Sequence, residues 1–170
     1  MIALQELTVD DGLDVYNMLQ RIGSSENDFH NDVNGMSYDE YKSWLSLQHA
    51  WSKGEQLPAG YVKQWTYWLI VDGRPVGYGK LREKATEESK KFGGNIGYAI
   101  DPEARGKGYG NKLFELLLKE AANKHIKEVF STVEKFNYNS KKVHEKYGGK
   151  LVSEDDVRWY FTFAIGKSEI

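Results

Sequence analysis

The chain of 170 residues contains no cysteine, which excludes disulfides, thiolate metal ligands and a cysteine nucleophile. Histidine is also scarce. His30, His49, His125 and His144 are scattered, with no pair at metal-ligand spacing, so the pattern assigns no metal site. No apolar run approaches the ~18 residues of a membrane span, and Met1 to Asp11 lacks the basic and apolar regions of a secretory leader. The expectation is a cytoplasmic protein with no membrane partner. No basic stripe with interleaved stacking aromatics is present, which argues against nucleic acid. Internal repeats, low-complexity segments and interdomain linkers are absent too. A chain of this length suits one domain, residues 1–170, and can bury roughly 70% of its unfolded surface without staples.

The net charge of -2 conceals an uneven distribution. Residues 1–60 hold ten acidic and three basic side chains, whereas residues 61–170 hold fifteen acidic and twenty basic. The second part therefore suits an anionic ligand, and the first could attract a cation. Ordinary solvated surface is the alternative explanation for both.

The most informative segment is Gly94 to Gly110. Ile96, Tyr98 and Ile100 alternate with smaller residues and predict a strand over 95–100, which Asp101-Pro102 ends by removing a ladder donor. Gly106, Gly108 and Gly110 then stand at alternate positions, so successive N–H groups can approach an anion without obstruction by Cβ. From Tyr109, the residues Leu113, Leu116, Leu117 and Ala121 recur at helical spacing, and the N-terminus of that helix points into the loop. The dinucleotide fingerprint G-x-G-x-x-G fails, because the run from Gly106 places Asn111 at its sixth position. The G-x-x-x-x-G-K-[S/T] loop fails as well, since Lys107 is followed by Gly108 rather than a hydroxyl. What remains is Arg105-x-x-Gly108-x-Gly110.

That loop resembles the Q/R-x-x-G-x-G/A pyrophosphate loop of the GNAT superfamily of acetyl-CoA-dependent N-acyltransferases. A second block, Asn137, Ser140 and Gly148-Gly149, is similar to the family's second motif, and the likeness extends over residues 60–165. The resemblance implies an α/β fold, α+β by some schemes. Its central twisted, mixed sheet would have six to seven strands flanked by about four helices, with a splay between the binding strand and the next. It implies acetyl-CoA as co-substrate, held by Tyr98, Ala99, Ile100, Arg105, Gly106, Lys107, Gly108, Tyr109, Gly110, Asn137 and Ser140. It further implies direct attack by the primary amine of a small molecule or peptide, with no covalent enzyme intermediate. Homodimers occur in the superfamily, although no residue here establishes one. A non-catalytic CoA-binding sensor with the same fold is the other reading.

Two residues stand out for the chemistry. Glu134, at the carboxyl end of the strand expected over 129–134, could remove the amine's proton, directly or through water. It could equally be a surface glutamate paired with Lys135 or Lys142. Glu83, Glu87 and Glu88 are weaker candidates. His144 occupies the position where many GNAT enzymes carry a tyrosine that protonates the leaving thiolate; an imidazole of pKa ~6.5 is chemically competent there. The alternative is a helix histidine without a catalytic role, and Tyr147 lies one turn further on. Asn137 reads both as a cofactor contact and as a helix cap.

The remaining pattern predicts a first strand over 4–8, a helix over 13–22 and a polar loop over 24–35. Ser37 to Glu40 reads as a capping box opening a second helix. A hairpin over 66–82 and a helical or irregular stretch over 85–92 follow. Beyond the central helix at 109–125 come a short helix over 140–147 and strands over 150–153 and 158–165. The strand-helix-strand order around 95–134 predicts locally parallel strands. Trp44, Trp51, Trp65, Trp68 and Trp159 could cage a cation, but aromatics at such periodicity ordinarily fill a core.

Overall fold

The computed structural model describes residues 1–26, 28–91 and 93–166; Asn27, Phe92 and 167–170 lie outside it, including one end each of the predicted stretch over 85–92 and of the predicted domain. Strand β1 (Ile2–Glu6) leads to helix α1 (Leu13–Arg21), whose Val15, Met18 and Leu19 form one buried stripe. A minute hairpin, β2 (Ser25–Glu26) and β3 (Phe29–His30), occupies the loop that the sequence left polar and irregular. Helix α2 (Tyr38–Ser52) opens on the expected capping box: Ser37 accepts from the Glu40 amide and Glu40 accepts from the Ser37 amide. Strands β4 (Gln64–Val71) and β5 (Arg74–Arg82) form the hairpin, followed by β6 (Ile96–Ile100), α3 (Tyr109–Asn123) and β7 (Glu128–Glu134). The chain ends in α4 (Tyr138–Lys146), β8 (Lys150–Glu154) and β9 (Arg158–Ala164).

Apart from the two-stranded β2-β3 pair, the described strands make two sheets rather than one continuous ladder: β1-β4-β5-β6 and β7-β9-β8, with every paired neighbour antiparallel. Helices α1 and α2 cover one face, where Leu19, Tyr41, Leu45 and Trp68 are buried. Helix α3 covers the other, with Leu113, Phe114 and Leu117 against Leu69, Leu81 and Phe161. Trp44 and Trp68 are core residues, as their periodicity suggested.

The predicted parallel pairing of the sixth and seventh strands is not realised as a ladder. Asn95 takes its place. Its backbone N–H donates to Phe130 O at 2.8 Å, its Oδ1 accepts from the Phe130 amide at 2.5 Å, and its Nδ2 donates to Glu128 O at 3.4 Å. On its other side, Asn95 O accepts from the Arg82 amide at 2.8 Å. One fully buried side chain thus satisfies the β7 edge at a single point. Gly94 makes the approach possible. Its φ is +72°, and a Cβ there would stand 1.9 Å from Phe130 O. Beyond this stitch the two sheets diverge, which is the splay expected from the resemblance.

Candidate functional site: a groove between the diverging sheets

The gap presents an unpaired strand edge. Arg82 N–H donates to Asn95 O and Asp101 N–H to Val76 O, so the odd-numbered residues of this strand exchange bonds with β5. By alternation, Ile96, Tyr98 and Ile100 turn their backbone groups toward β7, where no ladder receives them. Ile100 O accepts from Arg105 Nε at 3.1 Å.

The anion loop follows. Asp101, buried and ion-paired with Arg21 at 2.7 Å, caps a short 3₁₀ turn over Pro102–Ala104. The Arg21 guanidinium is held above its ordinary pKa by that hydrogen bond to Asp101. Gly108 caps α3 in the left-handed conformation, φ +82° and ψ 8°. Among the described residues, the amides of residues 106–108 make no hydrogen bond to the protein, and the first-turn amides of α3 have no intrahelical acceptor. Gly106, Gly108, Tyr109, Gly110 and Asn111 line one groove of about 380 Å³.

The walls of that groove include Tyr98, Ala99, Ile100, Arg105, Gly106, Gly108, Tyr109, Gly110, Asn137 and Ser140, so of the cofactor residues read from the sequence only Lys107 lies off its lining. Lys107 is solvent-exposed. Arg105 is not a free phosphate ligand either: its Nη2 holds Glu26 at 2.6 Å, tying β2 to the loop. Asn137 caps α4 by accepting from the Ser140 amide at 3.3 Å while also lining the groove. The Tyr98 hydroxyl lies 3.2 Å from Ser140 Oγ, and burial holds the Tyr98 phenol above its ordinary pKa.

His144 also lines the groove, though its side chain is 1% exposed and sits among Phe114, Phe161 and Phe163. Its Nδ1 is 2.7 Å from Ser140 O, which can only accept, so Nδ1 carries the proton. Its Nε2 therefore accepts from Ser131 Oγ at 2.8 Å. Burial pushes the imidazole down to about 4. The ring is neutral at ordinary pH, and the imidazolium donor expected from the sequence does not fit this geometry.

A stability consequence follows from the sign of that shift. Between the unfolded value of ~6.5 and about 4, the unfolded chain binds the His144 proton and the folded chain does not. Acidification through this window should cost about 3 kcal/mol, and His144→Phe should flatten the dependence; denaturant titrations at pH 7, 5.5 and 4.5 measure it. An unchanged slope in the variant would show that other groups set it.

Glu134 lines neither this groove nor a second cleft of about 340 Å³ that adjoins it. It abuts Asp28, which lines both. Burial and the neighbouring Asp28 push the Glu134 carboxyl above its ordinary pKa, partly offset by Arg158. Asp28 is itself gripped by Arg158, Nε to Oδ2 at 2.7 Å and Nη2 to Oδ1 at 2.8 Å. Sequence reading missed Asp28, which stands at φ +64° in the polar loop before β3. Its only signal was its membership of the acidic excess. Glu83, Glu87 and Glu88 are exposed.

The sequence profile of the Acetyltransferase (GNAT) family matches residues 24–149. The chain belongs to that family. It is therefore an acyltransferase of the acetyl-CoA-dependent type. No curated protein matches it by sequence. Among solved structures, RimL, a ribosomal L7/L12 α-N-protein acetyltransferase in complex with coenzyme A, is similar at TM-score 0.71 and 13% identity, covering 96% of this chain and 94% of that one. A GNAT-family acetyltransferase from Streptococcus pneumoniae aligns at TM-score 0.64 and 19% identity over 98% of this GNAT chain and 100% of its own. The Campylobacter jejuni N-acetyltransferase PseH, in complex with acetyl coenzyme A, aligns at TM-score 0.62 and 12% identity over 96% and 99%. At these identities the likeness shows a common fold. Among the described residues of this GNAT protein, no helix is long and apolar enough to cross a membrane.

Proposed function

We propose that this GNAT protein is a cytoplasmic N-acetyltransferase that moves an acetyl group from acetyl-CoA to the primary amine of a small molecule or peptide by direct attack. The observation that carries the reading is the continuity of the 380 Å³ groove, which runs from the unpaired edge of β6 to the free amides at the start of α3. The pyrophosphate sits on the amides of 106–111, where the helix dipole adds to the attraction. The pantetheine arm extends along the backbone groups of Ile96, Tyr98 and Ile100. The thioester then lies in the splay, beside Ser131 and Thr132. Nine residues of the sequence-based cofactor set serve this purpose directly; Arg105 acts by anchoring Glu26, and Lys107 contributes charge at a distance.

The amine must lose its proton before it attacks, because a free alkylammonium holds its proton to a pKa of ~10.4. The Asp28–Glu134 pair supplies the acceptor for it. Asp28 faces the junction of the two cavities, and Glu134 beside it is made more basic than an ordinary glutamate by burial and by Asp28's charge. Attack forms the new C–N bond and breaks the C–S bond, and the departing coenzyme A thiolate takes its proton from water. Tyr98, with its phenol pKa raised, is a poor acid for that step. His144, neutral and hydrogen-bonded at both nitrogens, is a positioning residue for Ser131 rather than a proton donor.

Thiol release across a panel of amines tests this. Glu134→Gln should lower kcat/KM roughly 100-fold or more and remove the acid limb of the pH profile, whose inflection in the parent protein should lie above an ordinary glutamate's ~4.3. A variant that kept both rate and profile would move the base elsewhere.

A further inference from the structure

A second cleft of about 340 Å³ adjoins the cofactor groove, sharing Asp28, Phe29, Gly93, Ile96 and Gly97 with it. Phe29 divides the two, its ring lying over Gly97 and edge-on to Tyr78 at 4.7 Å. On the far wall stand Lys80 and Arg82, two residues apart on one face of β5.

Among the described residues neither cation has a carboxylate within ion-pair distance. Lys80 Nζ donates to His30 O at 2.5 Å and lies 4.6 Å from the Phe29 ring centroid and 5.3 Å from that of Tyr78. Arg82 Nη1 donates to Gly94 O at 2.9 Å. Neither forms an ion pair among the described residues. Burial drives Lys80 down to about 7, with Arg82 adding to the fall and Asp32 opposing it; burial also lowers Arg82. The other charged groups on the cleft are Asp28, already held by Arg158, and Glu88, exposed at the rim. Lys80 and Arg82 are half-buried, bonded to carbonyl oxygens, and opposed only by the more distant charge of Asp32, so an anion placed between them would supply the ion pair they lack.

Half of the ten acidic side chains of residues 1–60 are engaged by partners of their own. Glu6 pairs with Lys124, Glu26 with Arg105 and Asp28 with Arg158, Glu40 serves its cap, and Asp11 accepts from Trp68 Nε1 at 2.7 Å.

Building on the acetyl-transfer reading, we infer that the acceptor is an amine that also carries an anionic group, a carboxylate or a phosphate, which Lys80 and Arg82 bind in this second cleft. The anion fixes one end of the acceptor against β5. The amine then reaches past Phe29 to the Asp28–Glu134 pair and the thioester. Only one end of such an acceptor is cationic.

The test is calorimetric and needs no turnover. Protein saturated with coenzyme A is titrated with matched pairs: an α-amino acid against its amide, and phosphoethanolamine against ethanolamine. The anionic member of at least one pair should bind about 10-fold to 100-fold tighter, and the pair with the larger difference identifies the anion. Lys80→Met should reduce that preference about 10-fold while leaving coenzyme A affinity within about twofold. Equal affinity within both pairs, absence of binding by either anionic compound, or an unchanged preference in Lys80→Met would overturn the inference. The same titrations on free protein keep the anion test standing if coenzyme A fails to bind, a failure that would instead remove the transfer reading.

Discussion

Replacing Gly94 by alanine should lower the melting temperature by on the order of 10 °C and abolish most transfer activity, whereas Gly73→Ala should cost only a few degrees. Both glycines have positive φ, +72° and +82°, so each substitution incurs the left-handed penalty of about 1–2 kcal/mol. Gly73 faces open space, while a Cβ on Gly94 would lie 1.9 Å from Phe130 O and 2.5 Å from its carbonyl carbon. Both atoms are backbone and no side-chain rotation relieves the overlap, so the segment must withdraw from β7, adding about 1–3 kcal/mol. The bonds around Asn95 that join the sheets would be lost with it. Since the splay begins at that stitch, its width would change together with stability. Thermal unfolding of the two variants side by side decides the point; equal melting temperatures would mean that the stitch is pliable.

Gly108→Asp should leave the fold intact and weaken acetyl-CoA binding about 100-fold or more. A Cβ at Gly108 meets no atom within 4 Å, and aspartate tolerates the left-handed region and serves well as a helix N-cap. The same properties make it damaging to function. Its carboxylate would take the amides that the pyrophosphate needs and repel the phosphates from the start of α3. Losing charge-assisted hydrogen bonds of roughly 1.5–3 kcal/mol each is enough for that factor. Gly108→Ala, which adds the backbone strain without the charge, should lose much less. Near-parent affinity in a folded Gly108→Asp protein would contradict the assignment of the anion site.

The parts of this site that depend on local spacing were legible in the sequence. Alternate glycines, the strand before them and the periodic helix after them are all set within one continuous segment, and the structure assembles them as the pattern predicts. The capping box at Ser37 and the cap at Asn137 are equally local. What escaped depends on distant partners. Asp28 gains its position from Arg158, 130 residues away, and the β2–β3 hairpin that carries it toward the groove is too short to show any periodicity. His144 looked competent as a proton donor because sequence displays a titratable ring without its surroundings; three phenylalanines around it reverse the conclusion. The broken pairing between β6 and β7 likewise turns on one buried asparagine, which strand order alone does not reveal. The two cations of the second cleft were hidden within an ordinary strand for the same reason.

The measurement that bears most directly on the account is calorimetric titration of the purified protein with acetyl-CoA, with ATP and NAD as controls. Saturable binding of one acetyl-CoA per chain, absent with the controls and lost in Gly108→Asp, is the predicted result. Equal binding of ATP, or no binding of acetyl-CoA by folded protein, would contradict the placement of the cofactor between β6 and α3.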